Sequence, residues 1–319
     1  MKRTVDGMGL DCGGLSLLAA LALAAACSGS GSDQAAAPDA ATDVAADVAA
    51  DASPPEKPDP LSDMAGAVSV LEHVDSDGKL TGSAVAVRFE SAAGEVPETL
   101  VKEAGGCRYY KAAAMKECDP PCKDWTEYCG MDAACHPFPQ RVDAGVVTVS
   151  GLKPGTFTAT PEDTFWYTVV PDAGGDLFDK DSLVTVSTTG GDVPAFEVTV
   201  PGVGTNVVDW PVNYTLADGK DNEFAWEVQG DQATVELIIQ TGWHGAPPTA
   251  IIWCAAPDAA GKIVVPQEMI EMFPPAGGIG LFQHPCWFQR VSRVLVDTPF
   301  GPASVSVTSQ LGFSIEHNM

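Results

Sequence analysis

From residue 65 onward, apolar and polar positions alternate in short runs that are broken by Gly, Pro, Asp and Asn. The repeat is two residues, the period of strands, and segments with the 3.6-residue repeat of a long helix are missing. In the clearest run Val85, Val87 and Phe89 fall on one face and Ala84, Ala86 and Arg88 on the other. Such a strand has one buried and one wet face, the usual situation in antiparallel sheets. The same pattern predicts strands at 67–74, 83–89, 144–150, 164–170, 182–187 and 195–200, then at 224–228, 233–240, 249–255, 280–283, 290–297 and 304–315. A connecting helix is predicted at 266–273 (PQEMIEMF), where Pro266 suits the first turn and Pro274 stops it. These elements predict an all-β chain of antiparallel β-sandwich units, with a small disulfide-rich insertion and at most one or two short helices.

Two units are expected for this length at roughly 150 residues per domain. PGVGT at 201–205 follows one predicted strand and precedes a new series, so 63–202 is read as the first unit and 203–319 as the second. A single continuous sandwich is the alternative.

Before residue 63 the pattern changes. Lys2 and Arg3 precede an apolar run at 13–26 (GGLSLLAALALAAA), too short to span a bilayer and suited to the core of a signal peptide. It runs through Ala24, Ala25 and Ala26 directly into Cys27, which resembles the lipobox of bacterial lipoproteins, where a peptidase cleaves before an acylated cysteine. On that reading 1–26 is removed and Cys27 carries the lipid. An ordinary secretory signal cut at Ala-x-Ala is the alternative, and both imply export. Residues 28–60 are rich in Ser, Ala, Asp and Pro and hold almost no large apolar side chain. Such a segment cannot bury enough surface to offset chain entropy, so 27–62 is expected to be a disordered, lipid-anchored tether.

The apolar fraction, 45% of residues, leaves material for a sizeable core. Charge narrows the partners: 43 Asp and Glu against 17 Lys and Arg give a formal charge of -26. A field of that sign repels phosphate backbones and anionic headgroups. Nucleic acid is therefore not an expected partner, and a lipid rather than a basic face must hold the chain to a membrane.

Setting Cys12 aside with the signal and Cys27 with the lipid leaves seven cysteines: Cys107, Cys118, Cys122, Cys129, Cys135, Cys254 and Cys286. Export permits disulfides. Cys118, Cys122, Cys129 and Cys135 lie in a Pro- and Gly-broken knuckle within 107–137, which has little core of its own and needs crosslinks. The preferred pairing is crossed, Cys118 with Cys129 and Cys122 with Cys135, though four cysteines allow three arrangements. Cys254 with Cys286 is expected to close the second unit. Cys107 is then odd, either a buried thiol or a partner that displaces one of these pairs. Zinc on the four knuckle cysteines with nearby His136 is the other reading, opposed by the absence of C-x-x-C spacing.

Asp75 and Asp77 precede Gly78 with a spacing that calcium loops use, but without the later Glu of an EF-hand. Bound calcium is one reading and an Asp-Gly hairpin turn the other; 218–222 (DGKDN) and 172–181 (DAGGDLFDKD) carry the same choice. No other cofactor is implied. His73, His136, His244, His284 and His317 fit no metal-ligand spacing, and no P-loop, dinucleotide fingerprint or G-x-S-x-G elbow is present. Trp243 and His244, in TGWHGAPP at 241–248, put an apolar plate beside a hydrogen-bonding tip on a loop. They are the predicted surface for a glycan or protein ligand. Trp253 and Trp287 are expected to pack in the core beside the Cys254–Cys286 bridge.

The order of features is a lipobox, an Ala/Asp/Pro tether, the knuckle at 118–135, then GVVTVSGL at 145–152 and GGDVPAF at 190–196. It resembles a group of exported lipoproteins of myxobacteria and related bacteria across most of the chain. The resemblance implies β units held in the cell envelope, on the periplasmic or surface face of the outer membrane, and carries no activity. The expected function is an envelope lipoprotein that displays β domains for binding or adhesion. An exported hydrolase with dispersed catalytic residues is the alternative, and His244, Asp258, Glu268 and His284 gathered in one pocket would favour it.

Overall fold

The alternating runs do form strands, and their apolar positions face a shared interior. A computed structural model describes residues 64–92, 98–112, 117–123, 126–130, 132–165, 167, 170–171, 175–242, 249–275 and 286–317. In the first part of the chain the strands are β1 (Gly66–Val74), β2 (Leu80–Phe89), β3 (Glu98–Ala104), β4 (Cys107–Ala112), β5 (Glu127–Cys129) and β6 (Cys135–Pro137). There follow β7 (Val147–Ser150), β8 (Phe157–Ala159), β9 (Val170–Pro171), β10 (Leu183–Thr188), β11 (Glu197–Pro201) and β12 (Asn213–Thr215). The last are β13 (Asn222–Ala225), β14 (Thr234–Thr241), β15 (Ala250–Pro257), β16 (Lys262–Val265), β17 (Cys286–Thr298) and β18 (Gly301–Glu316). A 3-10 turn at Asp258–Ala260 and a helix α1 at Gln267–Ile270 complete the described elements. Pro266 precedes α1 with extended backbone, and its carbonyl accepts from the amides of Met269 and Ile270, so the helix is one turn shorter than 266–273.

The chain is all-β and sandwich-like. The large sheet has the order β3-β4-β15-β14-β17-β18-β1-β2-β9, with β12 added to β18 as a tenth strand. A four-stranded sheet runs β11-β10-β7-β8, and β13 pairs with β16. At one end Val147, Val149, Val184, Val186 and Val200 of the smaller sheet close on Val68, Val70, Val85, Val87, Val305 and Val307. At the other end Phe224, Ile263 and Val265, with Trp210, Trp226 and Phe273, close on Leu237, Ile239, Ile252, Phe288 and Leu311. Each such side chain contributes about 1.5–3 kcal/mol when fully buried. Both layers sit on the same face of the large sheet.

The boundary expected at 201–205 does not divide the strands. Gly66 to Val74 of β1 lie opposite Ala303 to Leu311 of β18, and β4 adds to β15, so strands from 63–202 and 203–319 share one sheet. The reason lies in the residues after β11. Val203 is buried in the first core, and buried Asn206 donates through Nδ2 to the carbonyls of Phe288 and Ser309 at 3.1 and 2.7 Å. This segment is stitched to the large sheet and is no linker. The β1–β18 pairing is also parallel, as is β12–β18, where antiparallel neighbours were expected. A parallel pair needs a long crossover, which the whole chain between β1 and β18 supplies.

In the knuckle Cys118 is bonded to Cys129 and Cys122 to Cys135, the crossed arrangement. The third bond corrects the expectation: Cys254 is joined to Cys107, not to Cys286. β14 lies between β15 and β17, and two strand spacings, about 9–10 Å, exceed the reach of a disulfide. Cys107 instead stands directly opposite Cys254 in the β4–β15 register, with Cα atoms 4.0 Å apart. Cys286 is a buried thiol beside the Gln240 backbone, and burial pushes its pKa up to about 12. Such a thiol holds almost no nucleophilic thiolate near neutral pH.

Residues 1–63, including Cys27, lie outside the described residues, as does the strand expected at 280–283. Among the described residues no helix is long and apolar enough to cross a membrane.

Candidate functional site

The large sheet gives one face to the two cores, and strand alternation sends the remaining side chains to the other. Across β14, β17, β18, β1 and β2 the register places Glu236, Gln289, Gln310, His73 and Gly82 in a row, each opposite the next. Gln289 Nε2 donates to Glu236 Oε2 at 2.6 Å, and Gln310 Nε2 donates to Gln289 Oε1 at 3.0 Å. Arg293 Nη1 closes the end of the chain on Glu236 Oε1 at 3.2 Å. The Glu236 side chain is only 3% exposed, so Arg293 and the Gln289 amide replace the water its charge has lost. Hydrogen bonds linked in this way polarise one another and fix the rotamers of three long side chains before a ligand arrives.

Trp287 lies half-buried beside this row, opposite Gly312. A Cβ at position 312 would stand 3.1 Å from Trp287 Cζ3, so a larger residue there would push the indole a few tenths of an ångström off β18. The His73 ring is 6.4 Å away and tilted by 42°. Toward the far edge the same face carries small side chains: Ser306 opposite Ser69, and Ser69 opposite Ala86. A half-buried ring beside a fixed row of amide and carboxylate groups is chemically suited to a sugar. Such a ring can stack on the C–H face of a pyranose, with Gln310 and His73, the less buried members of the row, within reach of its hydroxyls.

The residues singled out by sequence fall differently. Trp243 and His244 lie outside the described residues. Trp287 is not packed beside a Cys286 bridge: its neighbour in sequence, Cys286, points to the core and Trp287 to the opposite face. Trp253 is buried as expected, in a small cluster with Tyr110, Ile251 and Ala255, and the Arg108 guanidinium lies 5.6 Å from its ring centre. Asp75 closes the hairpin between β1 and β2, where its Oδ1 accepts from the amides of Asp77 and Lys79 and Gly78 takes a positive φ of 75°. Asp75 and Asp77 thus stand in an Asp-Gly hairpin turn. In the 218–222 turn Asp218 is bound by Nε2 of buried His317 at 2.9 Å.

Of the four residues named for hydrolysis, His244 and His284 are outside the described residues. The other two are taken by ion pairs: Asp258 is buried against Arg290 at 2.6 Å, and Glu268 meets Lys102 at 2.9 Å on the surface. The sulfurs of Cys118, Cys122 and Cys135 lie within 4.8 Å of one another because two disulfides are adjacent. Bonded to other sulfurs, they offer no thiolate to zinc.

The row on the second face was missed because β17 carries its chemistry on both parities, with Arg290 inward and Trp287, Gln289 and Arg293 outward. β18 did carry a readable signal, since Ser304, Ser306, Thr308 and Gln310 alternate with Ala303, Val305 and Val307. No family model matches the chain, and no curated protein matches it.

Proposed function

We propose that this chain is an exported binding protein, anchored through lipid on Cys27, whose second sheet face takes a neutral, hydroxyl-rich polymer such as a polysaccharide. The observation that carries the reading is the pre-ordered row Glu236–Gln289–Gln310 beside the Trp287 ring. Glu236 is balanced by Arg293, and beyond the row the face continues through Val291, Thr308 and Leu71 to Ser306 and Ser69, so it offers directed hydrogen bonds beside apolar surface without favouring an ion. Neutral ligands suit a chain of net charge -26, which repels anionic ones at a distance.

Affinity electrophoresis of the full chain through gels containing neutral polysaccharides tests the binding half. Retardation by at least one neutral polymer is expected, and unchanged mobility across the panel contradicts the reading. For the anchor, labelled palmitate should enter the protein in a lipoprotein-competent bacterium, and Cys27→Ala should abolish the label. A mutant that still takes up palmitate removes Cys27 as the site.

A further inference from the structure

A pocket of about 140 Å³ lies between β2 and the turn that joins β7 to β8. Leu152, Pro154 and Phe157 line it from the turn and β8, Ser83 and Val85 from β2, and Leu177 from the loop before β10. Ser83 and Val85 fall on the core side of β2, so the pocket is separate from the Glu236–Gln289–Gln310 row on the opposite face. Its size suits a ring of about six or seven heavy atoms, since an apolar cavity of roughly 150 Å³ takes up benzene.

Two polar residues set its chemistry. Ser83 is 6% exposed, and among the described residues its Oγ has no hydrogen-bond partner. A buried hydroxyl of this kind has lost water without replacing it, a cost that a ligand hydroxyl would remove. Opposite Ser83 in the β1–β2 register stands Glu72, buried as well, whose Oε1 accepts from the amides of Leu177 and Phe178 at 2.5 and 3.3 Å. Those bonds fix the Leu177 wall and bring a carboxyl group close to the hydroxyl. Lys153, next to Leu152, is already paired with Asp176 and Asp179 at 2.7 and 2.5 Å. Acidic groups around a paired lysine favour a neutral ligand over an anion.

We propose that this pocket binds a small neutral molecule with an apolar body and one hydroxyl, of which phenol is the simplest, its hydroxyl on Ser83 Oγ and its body against Leu152, Phe157 and Leu177. A serine hydroxyl both donates and accepts, so it matches a ligand hydroxyl in either direction. The site is independent of the polysaccharide face and stands or falls separately.

Titration of the full chain with phenol, with toluene as its isostere without the hydroxyl and with benzoate as an anion, tests it. Phenol is expected to bind and to shift the methyl resonances of Leu152 and Leu177, and benzoate to bind at least about ten-fold more weakly. Ser83→Ala should weaken phenol about five-fold, the worth of one hydrogen bond, and leave toluene unchanged. The free variant should melt no lower than wild type, because the hydroxyl it loses has no partner to leave unmatched. Absence of phenol binding, methyl shifts confined to other parts of the chain, benzoate binding as tight as phenol, or a Ser83→Ala variant that treats phenol and toluene alike overturns the proposal.

Discussion

Replacing Arg290 by Ala is expected to lower folding stability by about 3–5 kcal/mol, the scale for removing one partner of a buried ion pair. The side chain is wholly buried within β17, with Nη2 at 2.6 Å from Asp258 and Nη1 at 3.4 Å from Asp231, both themselves buried. Nη2 also donates to the Glu227 carbonyl at 2.8 Å. Asp258 in turn accepts from the amides of Gly230 and Gln229 and from Trp226 Nε1, and Asp231 accepts from the amides of Gly204 and Ala233. One guanidinium thus holds together the turns at 202–204 and 227–233 and the 3-10 turn after β15, beneath the large sheet. Without it two carboxylates remain in the interior with no cation.

The same cluster sets a pH dependence. Burial by itself pushes the Asp258 carboxyl up, but the Arg290 hydrogen bond and charge and the Gly230 and Gln229 amides outweigh it and hold the group below its ordinary value of 3.8. A depressed carboxyl contributes stability that is full above its unfolded pKa and is lost as pH falls through its folded one. The gap between wild type and Arg290→Ala should therefore be widest at neutral pH and narrow below about pH 4. Urea unfolding of both proteins at neutral pH and near pH 3 measures it; a gap of the same size at both would show that the ion pair is not its source.

The second large effect belongs to Cys107–Cys254. Replacing both cysteines by Ala is expected to cost about 2–5 kcal/mol, because the bond closes a long loop in the unfolded chain. Its cysteines are 147 residues apart, against 11 and 13 for the two knuckle bonds. The bond also secures the edge of the sheet: β3 is paired to β4, β4 to β15, and Leu100 and Val101 of β3 are exposed. The double variant should unfold at lower urea, while a Cys118→Ala, Cys129→Ala variant should shift the midpoint less. Non-reducing peptide mapping supplies the chemical check: a Cys107–Cys254 peptide with free Cys286 is expected, and a Cys254–Cys286 peptide would reverse the assignment.

Sequence alternation was enough to reveal an all-β chain, because the period of two in β1, β2, β10 and β18 survives burial of one face. It failed at β3 and β4. ETLVKEA and CRYYKA carry charges and aromatics on both parities, since β3 is an edge and β4 buries Tyr109 on one face and Tyr110 on the other. Nothing local announces that β18 will lie parallel to β1, since that register is set only when Val68 and Val70 share a core with Val305 and Val307. The cysteine pairing failed for a related reason. Choosing between Cys107 and Cys286 for Cys254 requires the strand order, and β14 intervenes between β15 and β17. The row on the second face depends on that same order, because Glu236, Gln289, Gln310 and His73 come from four different strands.

The binding face is tested most directly by titrating the full chain with a soluble fragment of whichever neutral polysaccharide retards it, alongside Trp287→Ala and Gln310→Ala. Trp287→Ala should lose about 2 kcal/mol of binding free energy, the hot-spot scale, and Gln310→Ala about 1 kcal/mol, the worth of a hydrogen bond. Both should keep the wild-type melting temperature, because the two side chains lie on the face away from the cores. Wild-type affinity in both variants, or a loss of affinity that only accompanies a large fall in melting temperature, would contradict the assignment.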